Sequence, residues 1–171
     1  MARKTSLREF QQGVAQRLRD LSSTKTVTSK LGFQVGAENW FVNLADVSEV
    51  IPLLTFIPVP MTQSWFRGIS NVRGRLYSIT DFSAFQGQSP ILPGIDRRVI
   101  LIHEKLIEGA GLLVSRMLGL RNPEQFIQKE PGNDQNRPWI KAIYKDASGI
   151  RWHEIDLGIL AREPRFLEVG I

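Results

Sequence analysis

The 171-residue sequence predicts a mainly β protein built from small barrels. Two observations carry this. From residue 31 onward, short apolar runs recur roughly every ten residues and stop at clusters of Gly, Pro, Asn, Asp or Ser. These runs also do not alternate with the long amphipathic helices that a βαβ sheet requires.

The first element is the exception. Leu7, Phe10, Val14, Leu18 and Leu21 fall at steps of three and four, which stacks them on one face of a helix over residues 6–21. Ser6 and Glu9 form a capping-box pair, in which each side chain can satisfy a free N–H at the helix start. Gly13 weakens that helix by about 1 kcal/mol relative to alanine. The apolar stripe has to bury against something, either the body of this chain or a partner protein. Residues 22–30 are polar and read as a linker, so the chain divides into a basic amphipathic helix with its linker (1–30) and a β domain (31–171).

Hairpins follow. Leu31–Val35 and Trp40–Leu44 flank Gly36–Asn39, and Val47–Ile57 is an apolar, β-branched run that ends at Pro58 and Pro60. Gly68–Val72 and Leu76–Ile79 flank a tight turn at Arg73-Gly74-Arg75, where Gly74 is suited to a positive φ. After a Gly/Pro/Ser-rich loop at 86–96, Arg98–His103 and Gly111–Val114 make a third hairpin. Residues 121–137 read as a polar loop with one helical turn at Pro123–Phe126. Trp139–Tyr144 and Ile150–Ile155 flank a turn at Lys145–Gly149, and Leu157–Ala161 reads as a short closing helix. There is no internal sequence repeat.

Composition excludes several chemistries. With no cysteine, the chain has no disulfides, thiol nucleophiles or cysteine-ligated metal sites. No apolar run approaches the ~18 residues of a membrane span, and no signal-peptide core follows the N-terminus, so a cytoplasmic location is expected. The net charge of +5 resides in residues 1–30, where seven Lys and Arg oppose only Glu9 and Asp20. The rest of the chain is formally neutral. A basic arm suits an acidic partner, a membrane surface, nucleic acid or simply solvent.

Catalytic constellations are thin. His103 and His153 are the only histidines, and each reads as structural. Glu154 and Asp156 alternate on one predicted strand face, and a paired-carboxylate mechanism needs a facing partner that sequence does not show. Gly109-Ala110-Gly111 lacks the following helix of a dinucleotide fingerprint and reads as a turn. No catalytic residue, cofactor or metal site is expected. Trp65, Phe66, Arg67, Arg73, Arg75 and Tyr77 interleave aromatics with arginines, as a nucleic-acid stacking platform can, so a small-barrel nucleic-acid-binding protein is the alternative reading. The balanced charge of the body argues against it.

Residues 47–82 carry a more specific pattern. Val47-Ser-Glu49-Val50 is followed by Ile57-Pro58-Val59-Pro60, then by Gly68-Ile-Ser-Asn71-Val-Arg73-Gly74, then by Ile79-Thr-Asp81-Phe82. This order resembles the CheW-like family of chemotaxis adaptors over about residues 28–168. Gly111–Leu120 and Asp156–Leu160 resemble that family's second-barrel strand and its closing strand and helix. Ser78 stands where the family favours proline, Phe82 where it has leucine, and Ser115-Arg116 where it has aspartate. Together with the basic N-terminal helix, these departures resemble the type IV pilus (twitching) branch of the family. The resemblance implies two five-stranded β-barrels around a shared core, no enzymatic activity, and two partners: the cytoplasmic tip of a methyl-accepting chemoreceptor and the regulatory domain of a CheA-like histidine kinase. It implies contact with the membrane only indirectly, through receptor arrays. It also implies a receptor-binding set of Val47, Glu49, Val50, Gly68, Asn71 and Arg73, with Gly74 as a structural turn residue.

Overall fold

The computed structural model describes residues 29–53 and 55–171. The helix expected over 6–21 lies outside the described residues. Eleven strands are described: β1 (Lys30–Val35), β2 (Glu38–Asn43), β3 (Val47–Pro52), β4 (Phe66–Val72), β5 (Arg75–Asp81), β6 (Arg98–Ile102), β7 (Ala110–Val114), β8 (Arg116–Arg121), β9 (Gln128–Pro131), β10 (Ile140–Lys145) and β11 (Arg151–Ile155). They form two sheets, ordered β8-β1-β2-β11-β10-β9 and β3-β6-β7-β5-β4.

The two sheets share one plan. In each, two hairpins meet at a central parallel pair, β2 with β11 in one and β7 with β5 in the other. An edge strand, β8 or β3, flanks one hairpin. The chain leaving that edge strand then returns against the opposite edge. From β8 it passes through a 3-10 turn at Pro123–Gln125 and pairs as β9 with β10. From β3 it reaches β4 at one bridge, where Ile57 N donates to Ile69 O (2.8 Å) and Ile69 N donates to Ile57 O (2.9 Å). Each sheet is thereby closed into a small barrel, as expected, with a short closing segment beyond its five strands. The hairpin that ends one barrel in chain order (β6–β7) corresponds to the hairpin that opens the other (β1–β2).

Several expected boundaries change. The run Val47–Ile57 is not one strand: β3 ends at Pro52, and the chain leaves β6 to cover β4. Strands β8 and β9 replace part of the expected loop at 121–137 and the segment before it. β9 is polar and fully exposed, so it carries no hydrophobic period. Lys30, read from sequence as the end of the linker, is the first residue of β1 and is buried.

Alternation places apolar side chains on both faces of the central strands. Along β6, Val99 and Leu101 enter a cluster with Ile51, Val72 and Ile79 inside one barrel. Ile100 and Ile102 face the other way, into the largest cluster, with Phe33, Trp40, Phe82, Phe85 and Trp139. On β2, Phe41 joins Tyr144 and Trp152 inside the other barrel, while Trp40 and Val42 join the largest cluster. That cluster draws on strands of both sheets and is the shared core. Burial on two faces explains why β7 is buried at every position.

Candidate functional site

β3 is an edge strand with an irregularity. Its register against β6 shifts between Val47 and Glu49, leaving Ser48 as the extra residue of a bulge. The bulge turns Val47 and Val50 to the same side, where both are half-buried against the shared core. Glu49 points away from them, toward the β4–β5 turn.

That turn has two central residues, Arg73 and Gly74, with φ of 52° and 85°. Val72 and Arg75 pair across it. Two consecutive positive φ values match the twist of a tight hairpin. The sequence anticipates this conformation at Gly74; Arg73 adopts it without glycine's freedom, at a cost of about 1–3 kcal/mol. Asn71 Oδ1 accepts from Gly74 N at 2.8 Å and pins the turn. Arg73 then reaches Glu49 with both arms of its fork, Nη1 to Oε2 at 2.6 Å and Nη2 to Oε1 at 2.7 Å. The Glu49 carboxylate, through hydrogen bonding first and charge second, raises the Arg73 pKa above its ordinary value. β3 and β4 lie at opposite ends of the strand order, so this exposed clamp spans the seam of the barrel.

Gly68 lies on β4 where the Ile57 segment crosses it. It is buried with φ 125°, and a Cβ there would overlap the Ile57 carbonyl oxygen and lie 2.7 Å from its carbon. The space a side chain would fill is taken by this chain's own crossing segment. Among the expected site residues, Glu49 and Arg73 form a direct contact, Val47 and Val50 share one apolar side, Asn71 holds the turn that carries Arg73, and Gly68 accommodates the Ile57 crossing.

The shared core also reaches the surface where the described chain begins. Leu120, Leu31 and Val42 are cross-strand neighbours, so they share a face. Val42 is buried, Leu31 is half-buried and Leu120 on the edge strand is 63% exposed. Leu44 follows β2, donates its N–H to Ser29 O at 3.2 Å, and is 41% exposed. A separate hollow of about 490 Å³ lies at the end of the other barrel, lined by Ser48, Arg75, Leu76, Tyr77, Glu104 and Glu108.

The aromatic–arginine interleaving does not build a stacking platform. Trp65 is buried, Phe66 packs on the shared core and Tyr77 packs inside a barrel. Arg73 and Arg75 are paired to Glu49 and Glu104, and Arg67 lies over the Phe56 ring. His103 Nδ1 accepts from Lys105 N, and His153 stacks on Trp40 with ring centroids 4.7 Å apart. Burial pushes the His153 pKa below its ordinary value. Among the described residues no cluster of His, Asp and Glu could hold a metal ion.

Glu154 and Asp156 do not work as a pair. Asp156 caps the helix Leu157–Leu160 by accepting from Ile159 N at 3.0 Å. Glu154 is buried inside a barrel, with Lys30 Nζ at 2.8 Å and Tyr144 OH donating at 3.0 Å. This cluster escaped sequence reasoning because its members are scattered along the chain. Ser78, which stands where the resembled family favours proline, donates its N–H to Gly109 O at 2.7 Å, a bond proline cannot make.

Comparisons with known proteins fit this architecture. Residues 30–163 match the family described as CheW-like domain. The chain is 27% identical over 146 residues to Protein PilI of Pseudomonas aeruginosa, covering 84% of this chain and 80% of that one. It is 32% identical over 116 residues to a Chemotaxis protein CheW of Rhizobium meliloti, covering 66% and 74%. The fold is similar to the crystal structure of the scaffolding protein TtCheW from Thermoanaerobacter tengcongensis, with a TM-score of 0.69 at 20% identity over 84% of this chain and 98% of that one. The chain therefore belongs to the CheW-like domain family.

Proposed function

We propose that this protein is a non-catalytic adaptor that couples the cytoplasmic tips of chemoreceptors to the regulatory domain of a CheA-like histidine kinase. Its system is one that controls type IV pilus twitching motility. Family membership across residues 30–163 and similarity to Protein PilI support the reading. The protein works in the cytoplasm at receptor arrays. In keeping with this, no helix among the described residues is long and apolar enough to cross a membrane.

The observation that carries the site assignment is the conjunction on β3 of an apolar side and a polar clamp. Val47 and Val50 offer β-branched, half-buried contacts to an apolar receptor helix. The Glu49–Arg73 pair stands at the seam with the Arg73 side chain 75% exposed, where it can exchange one carboxylate partner for another and fix the helix register. Gly68 and Asn71 serve the site by holding the strand crossing and the turn in place. Kinase contact uses the barrel ends, with apolar contacts supplying affinity and rim charges selecting the partner.

The test is Arg73→Glu, measured by calorimetric binding to the soluble signalling tip of a methyl-accepting receptor from the same organism. The expected result is an unchanged melting temperature with affinity reduced about tenfold or more. Normal binding by the folded variant removes Arg73 from the site.

A further inference from the structure

An apolar margin of half-buried Leu31 with exposed Leu44 and Leu120 lies where the described chain begins, and nothing in the described chain covers its two exposed leucines. Ser29 is hydrogen-bonded to Leu44, and Leu31 sits beside Leu120, so the described chain begins at this margin. Upstream, the Leu7, Phe10, Val14, Leu18 and Leu21 stripe is unaccounted for. Residues 22–28 between them span at most about 25 Å when extended, so the stripe is tethered near this face. The helix that the sequence pattern predicts over 6–21 would be about 24 Å long, comparable with the tether, a length that allows it to reach back over the margin.

We propose that the apolar stripe of residues 7–21 docks on the Leu31–Leu44–Leu120 margin of this same chain. Leu44 opens the 3-10 turn Leu44–Asp46, which runs straight into β3 at Val47, so one end of the margin adjoins the β3 residues. Docking there sets the stripe against the side proposed for the receptor helix, and the basic segment acts as an internal competitor. The competition, unlike the docking, rests on the receptor-binding reading above. A tethered segment acts at an effective concentration near millimolar for a short linker, so even a weak intrinsic contact is substantially populated. An occupied site lowers the apparent affinity for any external helix by the fraction of molecules left open.

The absence of native cysteine makes the test clean. In the full chain, Leu18→Cys is paired with Leu120→Cys and treated with a short bismaleimide. As a control, Leu18→Cys is paired with Ile95→Cys, a site 93% exposed just before β6, whose far end pairs with Val47. The expected result is a monomeric cross-linked product from the first pair and little from the second. Equal cross-linking of both pairs overturns the docking, as does a product that is mainly dimeric, which would place a second copy on the margin. The companion measurement is binding of the receptor signalling tip to Phe10→Glu/Leu18→Glu. About tenfold tighter binding than by the parent chain is expected. Unchanged binding overturns the competition. The cross-link reads without any receptor, so a failure of the adaptor reading leaves it interpretable.

Discussion

Gly68→Ala isolates what holds one barrel shut. The added Cβ would overlap the Ile57 carbonyl oxygen, lie 2.7 Å from its carbon and 3.0 Å from Pro58 Cα. All three are backbone atoms, so no side chain can rotate aside. The backbone at φ 125° costs alanine about 1–3 kcal/mol. Overpacking adds about 1–3 kcal/mol. Relief requires displacing the Ile57 segment, which strains the two Ile57–Ile69 hydrogen bonds, each worth about 0.5–1.5 kcal/mol. The sum is about 3–9 kcal/mol, against a total stability of about 5–15 kcal/mol for a typical domain. For a chain of this size, at about 2–4 °C per kcal/mol, that lowers the melting temperature by roughly 6 °C or more. Urea and thermal denaturation of the full chain measure it. Gly74→Ala is the control, because nothing lies within 4 Å of where its methyl group would sit and only the strain of φ 85° remains. A Gly68→Ala midpoint within about 1 kcal/mol of the parent would refute the reasoning. Loss of receptor binding at unchanged stability would instead make Gly68 a contact residue.

Three further outcomes follow from buried polar groups. Lys30→Met removes the cation hydrogen-bonded to the buried Glu154 carboxylate, leaving only Lys141 Nζ at 4.0 Å, and should cost about 3 kcal/mol in denaturant titrations, with Lys30→Met/Glu154→Gln recovering part of the loss. Burial first, then the Glu154 charge, then their hydrogen bond raise the Tyr144 pKa above its ordinary 10.0. The folded state therefore retains a proton that the unfolded chain releases, so stability is full below pH 10 and falls above it. Tyr144→Phe should flatten that alkaline loss in pH-dependent melts. His153 has the opposite sign: burial lowers its pKa from 6.5, so the unfolded chain takes up the proton first and stability falls as the pH drops below 6.5. His153→Phe keeps a ring against Trp40 and should remove this acid dependence, and a parent melting temperature flat from pH 7 to 5 would contradict the assignment.

Local chemistry explains which parts of the fold were legible in sequence. The hairpins showed because their turns are written in adjacent residues: Asn71 and Gly74 around Arg73, or Asp146 accepting from Ser148 N and Ile150 N. The closing segments did not show. Strand β9 is exposed throughout, and Ile57 closes its barrel through a single bridge. The strand β8 hides behind Gly119 at φ 80° and a register shift against β1, which together break the alternation that reveals a strand. The shared plan of the two barrels is invisible because it repeats pairing, not residues, and because one hairpin is moved to the start of the chain.

The candidate site divides in the same way. Its positions came from a spaced family motif, which supplied Glu49 and Arg73 but not the reason for each residue. The structure supplies reasons: a bulge that brings Val47 and Val50 to one side, an Asn71 bond that holds the turn, and a backbone crossing that requires Gly68. The Lys30–Glu154 pair joins residues 124 apart in sequence, and no local pattern points from one to the other.

The adaptor function is tested most directly by calorimetric titration of the full chain against the regulatory domain of a chemosensory kinase from the same organism, repeated with receptor signalling tip present. Saturable one-to-one binding, with receptor and kinase domain held on the same adaptor molecule, is the expected result. A well-folded protein that binds neither across the organism's chemosensory kinases and receptors would contradict it.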